Sequence, residues 1–126
     1  MNIAFLCVLV AGVLPVVCAG IAKWGFHGFD NHNPREWLAR QTGFRARANA
    51  AQSNSFEAFP FFAIGVLLAT LAQADTQRID LYALVFILSR VGFVGAYLAD
   101  RASLRSAFWV LGFISAVGLY ACALGF

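Results

Sequence analysis

Charge is scarce in this chain. Nine Lys and Arg and six Asp and Glu bring the charged fraction to only 12% of 126 residues, while 61% are hydrophobic and the mean hydropathy is +0.75. Soluble domains carry about 25% charged residues, so this composition excludes one and indicates an integral membrane protein. Cysteine is also sparse. Cys7, Cys18 and Cys122 lie in apolar runs and form no CxxC pair, which argues against a disulfide framework or a thiolate metal site and for small buried hydrophobes. The net charge of +3 comes without a basic, aromatic-interleaved patch, which excludes a nucleic-acid partner. Period-2 alternation is missing and the apolar runs far exceed a barrel strand, so the fold class is all-α.

What is present are four long apolar runs. Hydropathy places them at about 3–22, 46–72, 79–99 and 105–126, in a single transmembrane domain covering 1–126. The first run has the length of a signal peptide but no basic n-region, and Val17 before Cys18 does not suit a lipoprotein cleavage site, so it reads as the first span. The short segment "QADTQR" makes the second and third spans an antiparallel hairpin. The longer first connection carries its own punctuation: Asn33 as cap, Pro34 at the first helical position, Glu36 completing a capping box and Gly43 as terminator predict a short interfacial helix over about 34–41. Trp24 and Trp37 suit the headgroup boundary.

Basic residues concentrate in the first connection (Lys23, Arg35, Arg40, Arg45, with Arg47 just beyond) and the third (Arg101, Arg105), against Arg78 alone in the second. By the positive-inside rule the first and third connections face the cytoplasm; in a bacterium the membrane would be the inner one. Ionisable residues within spans need a reason, since each costs roughly 2.5–3.5 kcal/mol at the bilayer centre on insertion scales. In the second span Arg47, Ala50, Asn54, Glu57 and Phe61 fall on one stripe less than about a quarter-turn wide. In the third, Arg90, Phe93, Tyr97 and Arg101 repeat the arrangement, and Arg105 and Ser106 open the fourth. These stripes imply an anion-friendly cleft between helices. The alternative is an ion pair between Glu57 and Arg90 that simply locks two helices together, with Asn54 as interhelical glue. Pro60 removes one backbone hydrogen bond and predicts a bend in the second span. His27, Asp30 and His32 match no strong ligand spacing, so no metal site is expected.

The segments "NPREWLARQTG", "AQSNSFEAFP" and "AYLADRASLRS" together resemble the MAPEG superfamily, the membrane-associated proteins of eicosanoid and glutathione metabolism, in a bacterial-type member. The resemblance extends over nearly the whole chain. It implies a homotrimer of four-helix protomers, with glutathione as co-substrate bound between subunits near the cytoplasmic face in the transferases. Carried over by residue, Asn54 and Glu57 match helix-borne glutathione contacts, Tyr97 an aromatic contact, and Arg105 the arginine that activates the thiol. Arg47 and Arg90 join the expected substrate-binding set through their place on the polar stripes. The function so implied is a glutathione transferase or peroxidase acting on a hydrophobic small molecule that enters from the lipid. The chain departs from the transferases at Ala50, where they carry Arg, and Phe93 stands where some eicosanoid-forming members have Tyr. Ala50 keeps a second reading open, a non-catalytic member that binds another amphiphilic anion or a lipid or serves a structural role. A third reading, a small channel or transporter subunit, would need polar stripes along a continuous pore, and the fourth span is almost wholly apolar.

Overall fold

The computed structural model describes residues 2–126, which form five α-helices and, among the described residues, no strand. Four are long: α1 (Ile3–Ala22), α3 (Gly43–Leu71), α4 (Thr76–Leu98) and α5 (Ala102–Ala123), each long and apolar enough to cross a membrane. The fifth, α2 (Pro34–Ala39), sits in the first connection after a 3-10 turn at Trp24–Phe26. At about 1.5 Å per residue the 29 residues of α3 extend about 43 Å, well beyond the roughly 30 Å of a hydrocarbon core. α3 is thus longer than a perpendicular crossing needs, and its Arg45 and Arg47 lie in the first two turns.

The pair α3–α4 forms the centre of the bundle, with α1 packed on both and α5 packed on both. Small residues let these helices approach. A Cβ on Gly118 would fall 2.4 Å from the Tyr82 ring, and one on Gly92 would fall 2.6 Å from the Phe108 ring, so the α4–α5 seam is built around two glycines that accommodate aromatic side chains. In the core, Phe62 of α3 and Phe86 of α4 stack with ring centres 3.8 Å apart, surrounded by Val66, Ala83, Ala116 and Leu119.

Helix ends explain several of the sequence's sparse polar residues. Asp80 Oδ1 accepts from Ala4 N at 2.9 Å and Asn2 Oδ1 accepts from Phe5 N at 3.0 Å, so two side chains satisfy the first turn of α1. At the opposite end, Arg45 donates from Nη1 to the Ala22 carbonyl (2.9 Å) and from Nη2 to the Trp24 carbonyl (2.6 Å), with its guanidinium 5.0 Å from the Phe44 ring centre. Cations at C-terminal carbonyls complement the helix dipole. Helices α3 and α4 both stop without glycine: Gln73 (φ 56°) and Asp100 (φ 58°) adopt the left-handed conformation, and the next amides, of Ala74 and Arg101, reach back to Ala69 O and Ala96 O.

The first connection departs from the expected punctuation. The Asn33 side chain makes no cap bond; its Nδ2 donates to Asp30 Oδ2 at 3.4 Å, and Glu36 pairs with Arg40 one turn on, so the capping box does not form. Nor does Gly43 end α2. The helix stops at Ala39, and Gly43, at φ 62°, opens α3 instead. Across Pro60, α3 runs unbroken.

Candidate functional site: a polar cleft between α3, α4 and α5

Where α3, α4 and α5 meet, two compartments open side by side. The first, about 280 Å³, is lined on its polar side by Asn54, Glu57 and Arg90 and on its apolar side by Phe61, Phe86, Trp109 and Phe113. The second, about 300 Å³, is lined by Asn54, Tyr97, Arg105 and Ser106 with Phe93, Trp109 and Val110. Asn54 of α3 and Trp109 of α5 border both, so the two compartments adjoin as one cleft.

Helical register puts the polar groups there. On α3, Asn54 and Glu57 are three residues apart and share a face; on α4, Arg90, Phe93 and Tyr97 follow at three and four; on α5, Arg105 and Trp109 are four apart. Five of the six residues singled out from the sequence thus line the same cleft. Arg47 does not. Its Nε donates to the Leu98 carbonyl at 3.2 Å, which places it at the C-terminal end of α4 in the same capping role that Arg45 has on α1.

The ion pair between Glu57 and Arg90 is not formed. Among the described residues the sole ion pair is Arg40 with Glu36. Arg90 is 97% buried, its Nη2 donates to Ser55 Oγ at 3.3 Å, and its guanidinium carbon lies 4.2 Å from the centre of the Phe93 ring. Glu57 lines the first compartment and is exposed. The physical reason is register: Ser55 faces inward on α3, and the guanidinium reaches that hydroxyl rather than the carboxylate two residues further along the helix. The cleft therefore holds a buried cation and an exposed carboxylate, a dipolar arrangement suited to a ligand carrying both an ammonium and a carboxylate.

Two further polar features belong to this region. Asn54 Oδ1 is buried without a hydrogen-bond partner, as is Gln52 Oε1 two residues before it, and orphaned buried acceptors are uncommon and costly. Arg105 is half-buried over the Tyr97 ring, with its guanidinium carbon 4.5 Å from the ring centre, which fixes a cation at the wall of the second compartment without an anionic partner.

Reading the polar stripes alone missed two residues. Ser55, off the stripe, is the hydroxyl that receives Arg90. Trp109 was hidden in an apolar span, although its spacing of four from Arg105 placed it on the same face and was the available signal.

An all-helical bundle with four membrane-length helices defines a multi-pass membrane protein, here with a polar cleft of small-molecule size between three of them. More specifically, the chain belongs to the MAPEG family, whose family model matches residues 3–125. That family includes glutathione transferases as well as related non-catalytic members. No curated protein and no solved structure matches the chain.

Proposed function

We propose that the cleft binds glutathione and that the protein is a membrane glutathione transferase or peroxidase acting on apolar electrophiles. The observation that carries this reading is the convergence of Asn54, Glu57, Arg90, Tyr97 and Arg105 on one cleft. Glutathione offers two carboxylates, an ammonium and a thiol. The exposed carboxylate of Glu57 complements the ammonium, the buried Arg90 a carboxylate, and the Asn54 side-chain amide a peptide group. Arg105 is left for the sulfur. A free thiol near pKa 8.5 is only a few per cent thiolate at neutral pH, and a fixed guanidinium beside it favours the anion, which is the nucleophile. In the transfer step the thiolate forms a C–S bond with the electrophile while the leaving group departs with its electron pair, or adds to a polarised double bond that then takes up a proton.

The assembly we infer is a homotrimer in a lipid bilayer, with the first and third connections in the cytoplasm. The clustering of Arg45, Arg47, Arg101 and Arg105 at one end of the bundle supports that orientation. Titration of the purified protein with glutathione, followed by thiolate absorbance, tests the mechanism. Saturable binding with a thiolate signal that Arg105→Ala removes is expected; no binding at millimolar concentration, or an unchanged signal in the variant, refutes it.

One observation favours a second reading. Position 50, on the same stripe as Asn54, is alanine, and the nearby Arg47 is committed to the Leu98 carbonyl. If one carboxylate clamp is missing, the cleft serves a different amphiphilic anion. Gain of glutathione binding in Ala50→Arg, from none in the native protein, would establish that alternative.

A further inference from the structure

Among the described residues four polar side chains are buried: Ser55, Ser89, Arg90 and Ser115. Two of them are satisfied locally. Ser89 Oγ donates to the Val85 carbonyl at 2.6 Å and Ser115 Oγ to the Leu111 carbonyl at 2.8 Å, each four residues back on its own helix, the usual recourse of a hydroxyl inside a helix. Ser55 does not follow them. Its Oγ accepts from Arg90 Nη2 at 3.3 Å, a bond that joins α4 to α3. The buried Cys18 thiol of α1 lies beside the same hydroxyl, so three helices meet at this point.

The bond to Ser55 is the sole hydrogen bond of the Arg90 side chain among the described residues. Its guanidinium carbon lies 4.2 Å over the Phe93 ring centre, and its stem passes Gly112 of α5, where a Cβ would stand 3.8 Å from Cδ. The other two guanidinium nitrogens have no partner and yet neither is a fully buried orphan, so each keeps some accessible surface, and the residue lines the first compartment. A ring face attracts a cation without fixing how the cation is turned above it. A hydrogen bond does fix this, because the N–H must point at its acceptor. Ser55 therefore decides which corner of the fork is spent inside the bundle.

We propose that Ser55 is a positioning residue of the cleft, which holds the Arg90 guanidinium so that its unspent N–H groups meet an incoming carboxylate. Ser55 itself lines neither compartment, so it acts only through Arg90. A carboxylate binds a guanidinium best through two parallel hydrogen bonds, and that geometry needs the planar fork in one orientation. Without the hydroxyl the long stem of Arg90 is free to turn the fork away, and the orientation has to be imposed by the ligand at the expense of affinity. A hydroxyl at position 55, off the polar stripe of α3, thus has a function that the stripe does not reveal. The proposal rests on the reading that Arg90 receives a ligand carboxylate.

The test begins without ligand. In the full-length protein labelled with nitrogen-15 arginine, the Arg90 side-chain NMR signal is identified by its loss in Arg90→Lys. Its two Nη groups are expected to be resolved in the native chain and to merge in Ser55→Ala and in Ser55→Cys, which keeps the shape but offers only a weak sulfur acceptor. Ser115→Ala, which removes a buried hydroxyl bonded within its own helix, should leave them resolved. Glutathione titrated calorimetrically into the same preparations is expected to bind about tenfold more weakly in both Ser55 variants, the effect of one charge-assisted hydrogen bond, and with native affinity in Ser115→Ala. An Arg90 signal unaffected by Ser55→Ala, native affinity in that variant, or an equal loss in Ser115→Ala would each overturn the proposal. A native chain that binds no glutathione refutes the proposed function instead, and the signal comparison, made without ligand, still decides whether Ser55 holds Arg90.

Discussion

Arg90 is a cation held away from water with no carboxylate on it, and replacing it by Met asks what it is for. Several kcal/mol is the effective cost of desolvating one ion. Against this stand a hydrogen bond to Ser55 Oγ, which at 3.3 Å belongs at the weak end of the charge-assisted range, about 1.5 kcal/mol, and a desolvated contact with the Phe93 ring at 4.2 Å, about 2 kcal/mol. Met keeps most of the stem's apolar contacts, and the freed Ser55 hydroxyl can turn to a carbonyl of its own helix. The expected change in stability therefore lies between a loss of about 1 kcal/mol and a gain of about 2 kcal/mol. For a chain of this size that is a shift in Tm of about 4 °C down to about 8 °C up. Thermal unfolding in detergent, followed by loss of helicity, reads this, and a glutathione titration on the same preparation should show binding lost. A fall in Tm well beyond about 4 °C would refute the reasoning. It would mean that Arg90 is neutralised by a permanent partner, and an equal fall in Glu57→Gln would identify that partner as the exposed carboxylate.

Three other outcomes are expected. Gly118→Ala puts a methyl 2.4 Å from the Tyr82 ring and should destabilise the α4–α5 seam by about 1–3 kcal/mol, whereas Gly95→Ala, with nothing within 4 Å, should be neutral or stabilising by up to about 1 kcal/mol; paired thermal melts decide. Asp80→Ala removes the oxygen 2.9 Å from Ala4 N and should weaken the start of α1 by about 0.5–2 kcal/mol, seen as faster hydrogen exchange confined to its first turn. Ala50→Arg should tighten glutathione binding by about tenfold or more if the native cleft already binds it, since one charge-assisted hydrogen bond is worth about 1.5–3 kcal/mol; unchanged affinity would show that position 50 does not reach the ligand.

Hydropathy alone located the four long helices, because bilayer thickness dictates run length. The helix it placed from about 46 begins at Gly43, because Arg45 and Arg47 lower the hydropathy of a first turn that is nonetheless helical. The polar stripes were legible because an ionisable group in a span must face something other than lipid, and Asn54, Glu57, Arg90 and Tyr97 met in space as that rule requires. What each group touches was not legible. The target of Arg47 is a carbonyl 51 residues away and that of Arg45 a carbonyl 23 residues away, and backbone acceptors leave no mark in a sequence. Trp109 escaped for a related reason: in an apolar helix a tryptophan facing lipid and one facing a cleft have the same neighbours along the chain.

Arg45 joins two questions that are usually asked separately. Its charge belongs to the bias that decides which way a chain threads, while its two bonds to the Ala22 and Trp24 carbonyls rivet the first connection to the start of α3. A scan that strips charges to map topology would therefore loosen the tertiary structure in the same step, and a reporter that changes sides in Arg45→Ala would conflate an inverted molecule with an unfastened one. Lysine at this position separates the two. It preserves the charge that the insertion machinery counts, but an ammonium has no planar fork to hold both carbonyls.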